Sequence, residues 1–598
     1  MNNNYKWETI GKCKFYTDGT TCTDIEVMDD AKEISFIYPK FRVDRKKCKK
    51  VFSSIEVLII ERNVVSIVIP NKMFPNVKQV NSKSSSFLDG KYLIERAGRK
   101  LLNAFGQSED VSIDFTRFRR IGNYAFEGCK VKVAAGIYEM RILAIQDAAF
   151  VGSGFLDKPF IGGIKCLGPF IIDIDETADE IILPKSDVYF CVPKIQKKCV
   201  RVPNINVFAA MRKSPKKVII EDENIRYDDD LMYKLSNRYI EELESRVSRY
   251  KTVDGILYSA DMKTLILCPA GKTGEVTIPD GVERIRKQAF FGSKISKVVF
   301  PDSLARLQNE AFYGCENLKE IDFGNGIEQI GGAENKHIFS GCPVEKLIFP
   351  PQVKEIGISA FYSCGELKEI IFEEGLKYIR EGAFKNCPKL TEVNLPESIK
   401  NVGLDAFVCE IAREEIQDIN INLTTIPEGL GRAIIRPGSM QTPRCVNVHV
   451  HNENETFDFV IPDCVSATTN GYSEIVTGFN LMASDPEYCK RLHHLKWLNT
   501  AFMYASNSRF KYACAYKTYK RTKNELAKEY LIDYQKMAAD AIALELTEKD
   551  FVDFLKLEFI SLEYDEGIVK RLQEKNWNIA LAYMLEEGKG RPEDALVI

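Results

Sequence analysis

Histidine and tryptophan are scarce in this chain of 598 residues, at five and three, and several chemical signatures are missing altogether. There is no GxGxxG or GxxxxGKS/T phosphate loop, no HExxH and no GxSxG nucleophile elbow, which excludes enzymes built on those motifs. No CxxC pair occurs among the 17 cysteines, an odd number, so neither a disulfide framework nor structural zinc is expected. No apolar run approaches the ~18 residues of a membrane span; Val57 to Ile60 and Leu265 to Leu267 are strand-sized. Basic charge is not in excess either. The net charge of −3 and pI near 6.2 provide no bulk field for nucleic acid or anionic membrane. The start, Met1-Asn-Asn-Asn-Tyr-Lys-Trp-Glu, has no basic segment followed by an apolar one, so no secretory leader is expected. Free thiols and this start point to the cytoplasm, with the cell surface or secretion as the alternative.

What the chain does have is a repeat. Ala-Phe pairs recur at Ala289-Phe290, Ala311-Phe312, Ala360-Phe361, Ala383-Phe384 and Ala406-Phe407, with steps of 22, 49, 23 and 23. The double step holds Ile338-Phe339 after a small insertion around Gly331-Gly332-Ala333. A short apolar strand precedes each pair, as in Leu318-Lys-Glu-Ile-Asp-Phe and Leu367-Lys-Glu-Ile-Ile-Phe. Strand side chains alternate between faces, so the Ile and Phe of Leu-x-x-Ile-x-Phe point inward. The following Ile330, Ile356, Ile379 and Val402 supply a second inward contact, and units of this size bury both faces only by stacking. Cys129, Cys315, Cys342, Cys364, Cys387 and Cys409 all follow the motif Phe by two or three residues, where a free thiol serves as a small hydrophobe.

Upstream, Asp89-Gly-Lys-Tyr-Leu-Ile leading to Ile121-Gly-Asn-Tyr-Ala-Phe-Glu-Gly-Cys129 copies Asp254-Gly-Ile-Leu-Tyr-Ser leading to Ala289-Phe290. Both read as a β-hairpin feeding a repeat strand. Four segments follow. Residues 1–249 form a divergent N-terminal array with a hairpin and, over Asp228 to Glu244, a short helix spaced by Leu231, Leu235, Tyr239 and Leu243. Residues 250–409 carry the regular repeats. Residues 410–484 form a terminal β region with a hairpin at Val446–His451 and Phe457–Pro462. Residues 485–598 form a helical domain with a capping-box variant at Thr547-Glu-Lys-Asp550 and a last helix from Asp565 through Met584.

The pattern of strand, Ile-Gly and Ala-Phe-x-x-Cys resembles the BspA-type leucine-rich repeat family over 250–409, and again over 84–129. It does not cover 410–598. The resemblance implies a right-handed solenoid used for protein binding, and brings no catalytic residues. The expected fold is thus a mainly β repeat solenoid with hairpin insertions and a C-terminal all-α domain.

The outward strand positions fall into two columns. Lys297, Glu320, Lys346, Glu369 and Glu392 read as ordinary surface pairing. Val299, Asp322, Ile348, Ile371 and Asn394 put exposed aliphatic side chains on one face, either as a partner-binding patch or packed under the insertion near Gly331. Cys445, His449 and His451 share a strand parity, but with no evident fourth ligand no metal is assigned. His493-His494 reads as surface or cap. The interleaved stretch Arg509–Arg521 reads as an amphipathic packed helix rather than a nucleic-acid site, with Phe510, Cys514 and Lys517 on one stripe. The expectation is a non-enzymatic scaffold with no cofactor, binding a protein partner on its repeats. A surface adhesin, and an effector with enzymatic or nucleic-acid activity in the helical tail, are the alternatives.

Overall fold

A computed structural model describes residues 5–138, 144–146, 148–185, 189–190, 199–203, 215–225, 239–411, 417–438, 444–451, 456–485, 495–562 and 565–587. The chain divides into two units. One comprises Met1–Arg226 with Glu242–Ser248, the other Tyr227–Glu241 with Arg249–Ile598.

The first unit alternates hairpins with parallel repeat strands. Lys6–Ile10, Cys13–Thr17 and Thr21–Val27 form an antiparallel meander whose last strand pairs in parallel with Lys40–Arg42 and then Ser66–Val68. Phe87–Leu88, Leu93–Glu95 and Lys100–Asn103 repeat the device and hand on to Arg120–Ile121 and Ala144–Ile145. A third hairpin joins Ile164–Leu167 to Phe170–Ile174. The hairpin read at Asp89 is therefore one of several. The others lack the Asp-Gly signature beside a recognisable Ala-Phe turn and were not legible. Phe126 and Phe150 stack at 5.1 Å within this unit's core. The helix expected over Asp228 to Glu244 is corrected at its end. Glu242–Ser245 is a strand paired in parallel with Lys217–Ile220, and Leu243 is buried there. Residues 226–238, with Leu231 and Leu235, lie outside the described residues.

The second unit opens with the hairpin Tyr250–Val253/Ile256–Ser259/Thr264–Leu267 and builds two ladders from each repeat. The inner contacts follow the sequence pattern. Val298, Leu347, Ile370 and Val393 are buried, as are Ile285, Leu307, Ile330, Ile356, Ile379 and Val402 on the return path. The motif rings form one column: Phe290–Phe312 4.4 Å, Phe312–Phe339 4.9 Å, Phe339–Phe361 5.2 Å, Phe361–Phe384 5.5 Å and Phe384–Phe407 5.6 Å, all stacked. The alanine of the pair has a backbone role. Each Phe N–H donates to the carbonyl of the residue before the next Phe, as in Phe290 to Ala311 at 2.7 Å and Phe361 to Ala383 at 2.8 Å. Ile338 takes that place in the insertion-bearing unit (Phe312 N–H to Ile338 O, 2.8 Å). The residue before each pair is left-handed whatever its type: Gln288, Glu310, His337, Ser359 and Asp405 have φ of 52–57°, and only Gly382 is a glycine there.

The repeat signature ends near Cys409, yet the ladder runs on. Glu392–Asn394 pairs with Ile419–Leu423, which pairs with Cys445–His451, and Thr456–Pro462 closes the sheet antiparallel. A short helix, Leu430–Ile434, and then the long helix Gly471–Ser484 lie inside the stretch read as terminal β structure. The capping box at Thr547/Asp550 forms as expected, each partner bonding the other's backbone. The single helix expected from Asp565 is two, Glu566–Glu574 and Asn578–Glu587, separated by Asn576 at φ 56°.

Candidate functional site: the outward face of the repeat sheet

The two outward columns predicted from strand parity are in register within each short sheet. Lys297 lies beside Glu320 and Val299 beside Asp322, while Lys346 lies beside Glu369 and Ile348 beside Ile371. In the first column, Lys297 meets Glu275 at 3.5 Å and Glu320 at 3.9 Å, and Lys346 meets Glu369 at 2.9 Å. Pairs this exposed contribute at most about 1 kcal/mol, so they set local charge more than stability. In the second column Ile348 is 50% exposed, Val299 and Ile371 are half-buried, and Asp322 and Asn394 are exposed. The insertion does not cover Ile348. It packs instead on the turn edge, where Lys336 N–H donates to Asn309 Oδ1, Glu310 N–H to Lys336 O and His337 N–H to Ile358 O.

The outward face is not one continuous ladder. Glu320–Asp322 ends one three-stranded sheet and Lys346–Phe349 begins another, so the ladder is interrupted between Asp322 and Ile348. A cleft of about 550 Å³ opens there, lined by Lys297, Glu320, Asp322, Asn325, Lys346 and Ile348 among others. It is the part of the face where an apolar contact and both signs of charge meet within one depression.

Farther along, the same face is covered. Cys445, Asn447 and Val460, outward on the last two strands, are buried beside the helix Ser508–Thr522, while His451 and Thr456 at the other end stay exposed. Cys445 Sγ meets Cys514 Sγ at 3.3 Å, Lys517 Nζ donates to Asp418 Oδ1 at 2.7 Å, and Arg521 Nη1 donates to Asn420 Oδ1 at 3.1 Å. Asn420 accepts from Asn447 as well, and Asn447 and Val460 are buried. The facing stripe of the helix is Phe510, Cys514, Lys517 and Arg521, the spacing that aligns one side of a helix. This agrees with the packed-helix reading of 509–521, whose stripe was recognised up to Lys517. Burial lowers the Lys517 pKa, but Cys445 and Asp418 outweigh it and hold the ammonium above its usual range. His449 bonds Asp458 at 2.7 Å and His451 bonds Thr456 at 2.9 Å, so Cys445 and the two histidines are held by separate partners. Among the described residues no three His, Cys, Asp or Glu side chains gather as metal ligands. His493 and His494 lie outside the described residues.

Next to this junction sits a buried charge cluster that sequence parity could not reveal. Arg444 and Asp463 are 1% and 2% exposed, with Nη1 and Oδ2 3.9 Å apart and neither atom hydrogen-bonded among the described residues. Burial pushes the Asp463 carboxyl up to about 7, against the pull of Arg444 and Arg436. The thiols in the repeats are structural as read, with an added role. Cys315, Cys342, Cys364 and Cys387 each donate to the carbonyl of a Phe in the preceding unit, at 3.0–3.4 Å. Burial pushes Cys364 up to about 12.

The family model for a BspA type leucine rich repeat region matches residues 270–334 and 334–430, in six copies. No curated protein matches the sequence. Three solved structures are similar to parts of the chain. A leucine rich cell surface protein from Faecalibacterium prausnitzii is 18% identical, over 69% of this chain and 97% of its own, with a TM-score of 0.28. A leucine-rich repeat protein from Eubacterium ventriosum is 16% identical, over 68% and 95%, with a TM-score of 0.27. A leucine rich repeat protein from T. pallidum is 23% identical, over 31% and 87%, with a TM-score of 0.22.

Proposed function

We propose, on the premise that residues 270–430 are BspA-type leucine-rich repeats, that this chain is a non-enzymatic scaffold binding a protein partner on the outward face of the repeat sheet. The observation that carries the reading is the column Val299, Asp322, Ile348, Ile371 and Asn394. It sets Ile348 in register with Ile371 on one two-stranded sheet and Val299 beside Asp322 on the sheet before it, with a cleft between them. A single isoleucine at the surface needs no explanation, whereas aliphatic residues aligned on one face of a sheet suit a flat macromolecular contact. The Phe column beneath fixes the strands, so the face is preorganised and little conformational entropy is lost on binding.

The helical tail caps the end of this sheet in this reading, rather than acting alone. Its Ser508–Thr522 helix shares a buried cluster with Cys445 and Val460 of the terminal hairpin, so fragments cut between repeats and tail would expose that cluster. The test therefore uses the full chain. Affinity purification with the wild type and with Ile348→Asp/Ile371→Asp should recover a partner with the first and lose it with the second, while thermal unfolding stays unchanged. Equal recovery by both excludes this face. In this reading the chain works in the cytoplasm, where its mostly buried thiols stay reduced. Cell fractionation tests it, and recovery at the cell surface would favour the adhesin reading. Among the described residues no helix is long and apolar enough to cross a membrane.

A further inference from the structure

The sheet face that is open over the regular repeats is already occupied at its far end, and by a helix. Glu392, exposed on the first strand of the terminal sheet, is in register with Asn420 and Asn420 with Asn447, so this sheet is open at its near edge and covered at its far one. What covers the end is a stripe of Phe510, Cys514, Lys517 and Arg521. Its apolar half lies in the buried cluster with Cys445 and Val460, and its basic half bonds Asp418 and Asn420. Arg521 also approaches Asp458 at 3.9 Å.

The open part offers the same chemistry. Its two outward columns carry Glu275, Glu320, Asp322, Glu369 and Glu392 against Lys297 and Lys346, an excess of negative charge within the columns, with Lys294, Lys319 and Lys368 exposed beside them. Glu320 and Glu369 are 71% and 53% exposed. The aliphatic Val299, Ile348 and Ile371 lie between these carboxylates, and the break beside Ile348 gives a side chain room to seat. A helix stripe from position 510 to 521 is about 17 Å long at ~1.5 Å per residue, enough to cross three to four strands at ~4.8 Å each. The chain's own helix cannot serve, since its stripe is buried on the terminal strands.

We infer that the open outward face takes an amphipathic helix of a partner protein, bearing apolar and Lys/Arg residues at i, i+4, i+7 and i+11, laid across the strands as Ser508–Thr522 is laid across the end. This rests on the outward face being the interaction surface and specifies what that surface binds. Apolar area supplies the affinity, and the carboxylates select a basic helix over an acidic one and speed its approach.

The probe is a fluorescent, helix-stapled peptide copying residues 507–523 with Cys514→Ala, titrated by anisotropy against the full-length protein. The expected result is saturable binding that weakens at least tenfold with Ile348→Asp/Ile371→Asp and with Glu320→Lys/Glu369→Lys. A peptide carrying Lys517→Glu and Arg521→Glu should not bind the wild type but should bind the Glu320→Lys/Glu369→Lys protein. Melting curves of both protein variants, all at exposed or half-buried positions, check that they remain folded. The inference is overturned by absence of binding to the wild type, by equal binding of the charge-reversed peptide, or by indifference to both protein variants. Photo-cross-linking from position 348 separates this from the broader reading. A strand or loop of a partner captured there upholds an interaction face and overturns the helix. Capture of a second copy of this chain overturns the helix as well.

Discussion

Phe361 lies between Phe339 and Phe384 with no exposed surface, and its N–H and Cys387's thiol tie it to the next unit. Phe361→Ala removes two stacking contacts and leaves a void that the neighbouring rings cannot fill without shifting, so it should cost about 3–5 kcal/mol by chemical denaturation. The thiols give a second check. With iodoacetamide at pH 8, Cys48, Cys166 and Cys199, which are half-buried, should label in the native protein. Cys342, Cys364 and Cys387 should label only after denaturation, because they have no exposed path and burial holds their thiols protonated. Early labelling of Cys364, read by mass spectrometry, would contradict the packing. Asp463 gives a pH dependence with a definite sign. Its pKa is about 7 folded against about 3.9 unfolded, so between those values the folded state binds more protons. Stability then falls as pH rises from about 4 to about 7, by at most ~1.4 kcal/mol per pH unit, and is level above. Asp463→Asn should remove that slope from the melting temperature measured between pH 5 and 8; a slope equal to wild type would show that Asp463 stays ionised throughout. None of the Asp463 behaviour was legible in the sequence, since Arg444, Arg436 and Asp463 meet only through the closing of the terminal hairpin.

At the scale of the element, periodicity carried the reading wherever one face is buried and the other is not. The strands over 294–394 and the capping box at Thr547 came out where their patterns lie, because pleat and cap are local rules. The misreadings have local causes too. Glu242–Ser245 has apolar residues at helical spacing from Leu231 but pairs in a parallel ladder, and tertiary hydrogen bonding overrides a weak periodic signal. Gly471–Ser484 holds glycines at 471 and 478, which discourage a helix assignment; in the structure the Tyr504 ring packs against Gly471 so closely that a side chain there would have to displace it, and Leu498 packs tightly on Gly478. The docked helix Ser508–Thr522 supplies a prediction of its own. Asp418→Ala leaves the Lys517 ammonium without its 2.7 Å partner, at a cost of about 1–3 kcal/mol. Hydrogen exchange should accelerate in 508–522 while the Phe339–Phe384 repeats stay protected. Uniform acceleration across both would mean that helix and repeats open as one piece.

Across the whole molecule, the solenoid class, the hairpins at Asp89 and Asp254 and the helical tail could be read from the sequence, because each repeat repeats the same burial problem. The continuation of the ladder through Ile419–Leu423 and Cys445–His451 could not, since strands buried by a docked helix no longer need the motif residues. The candidate face was legible as two columns, but its cleft was not: strand parity does not show that the ladder breaks between Asp322 and Ile348. The most direct measurement places a photo-cross-linking amino acid at 348, at 371 and, as a control, at Glu397, exposed outside the two columns, in the full-length protein in its native cells. A partner that binds the outward face should cross-link from 348 and 371 and not from 397. Cross-linking from 397 alone, or the same product from all three, would contradict an interaction surface on this face.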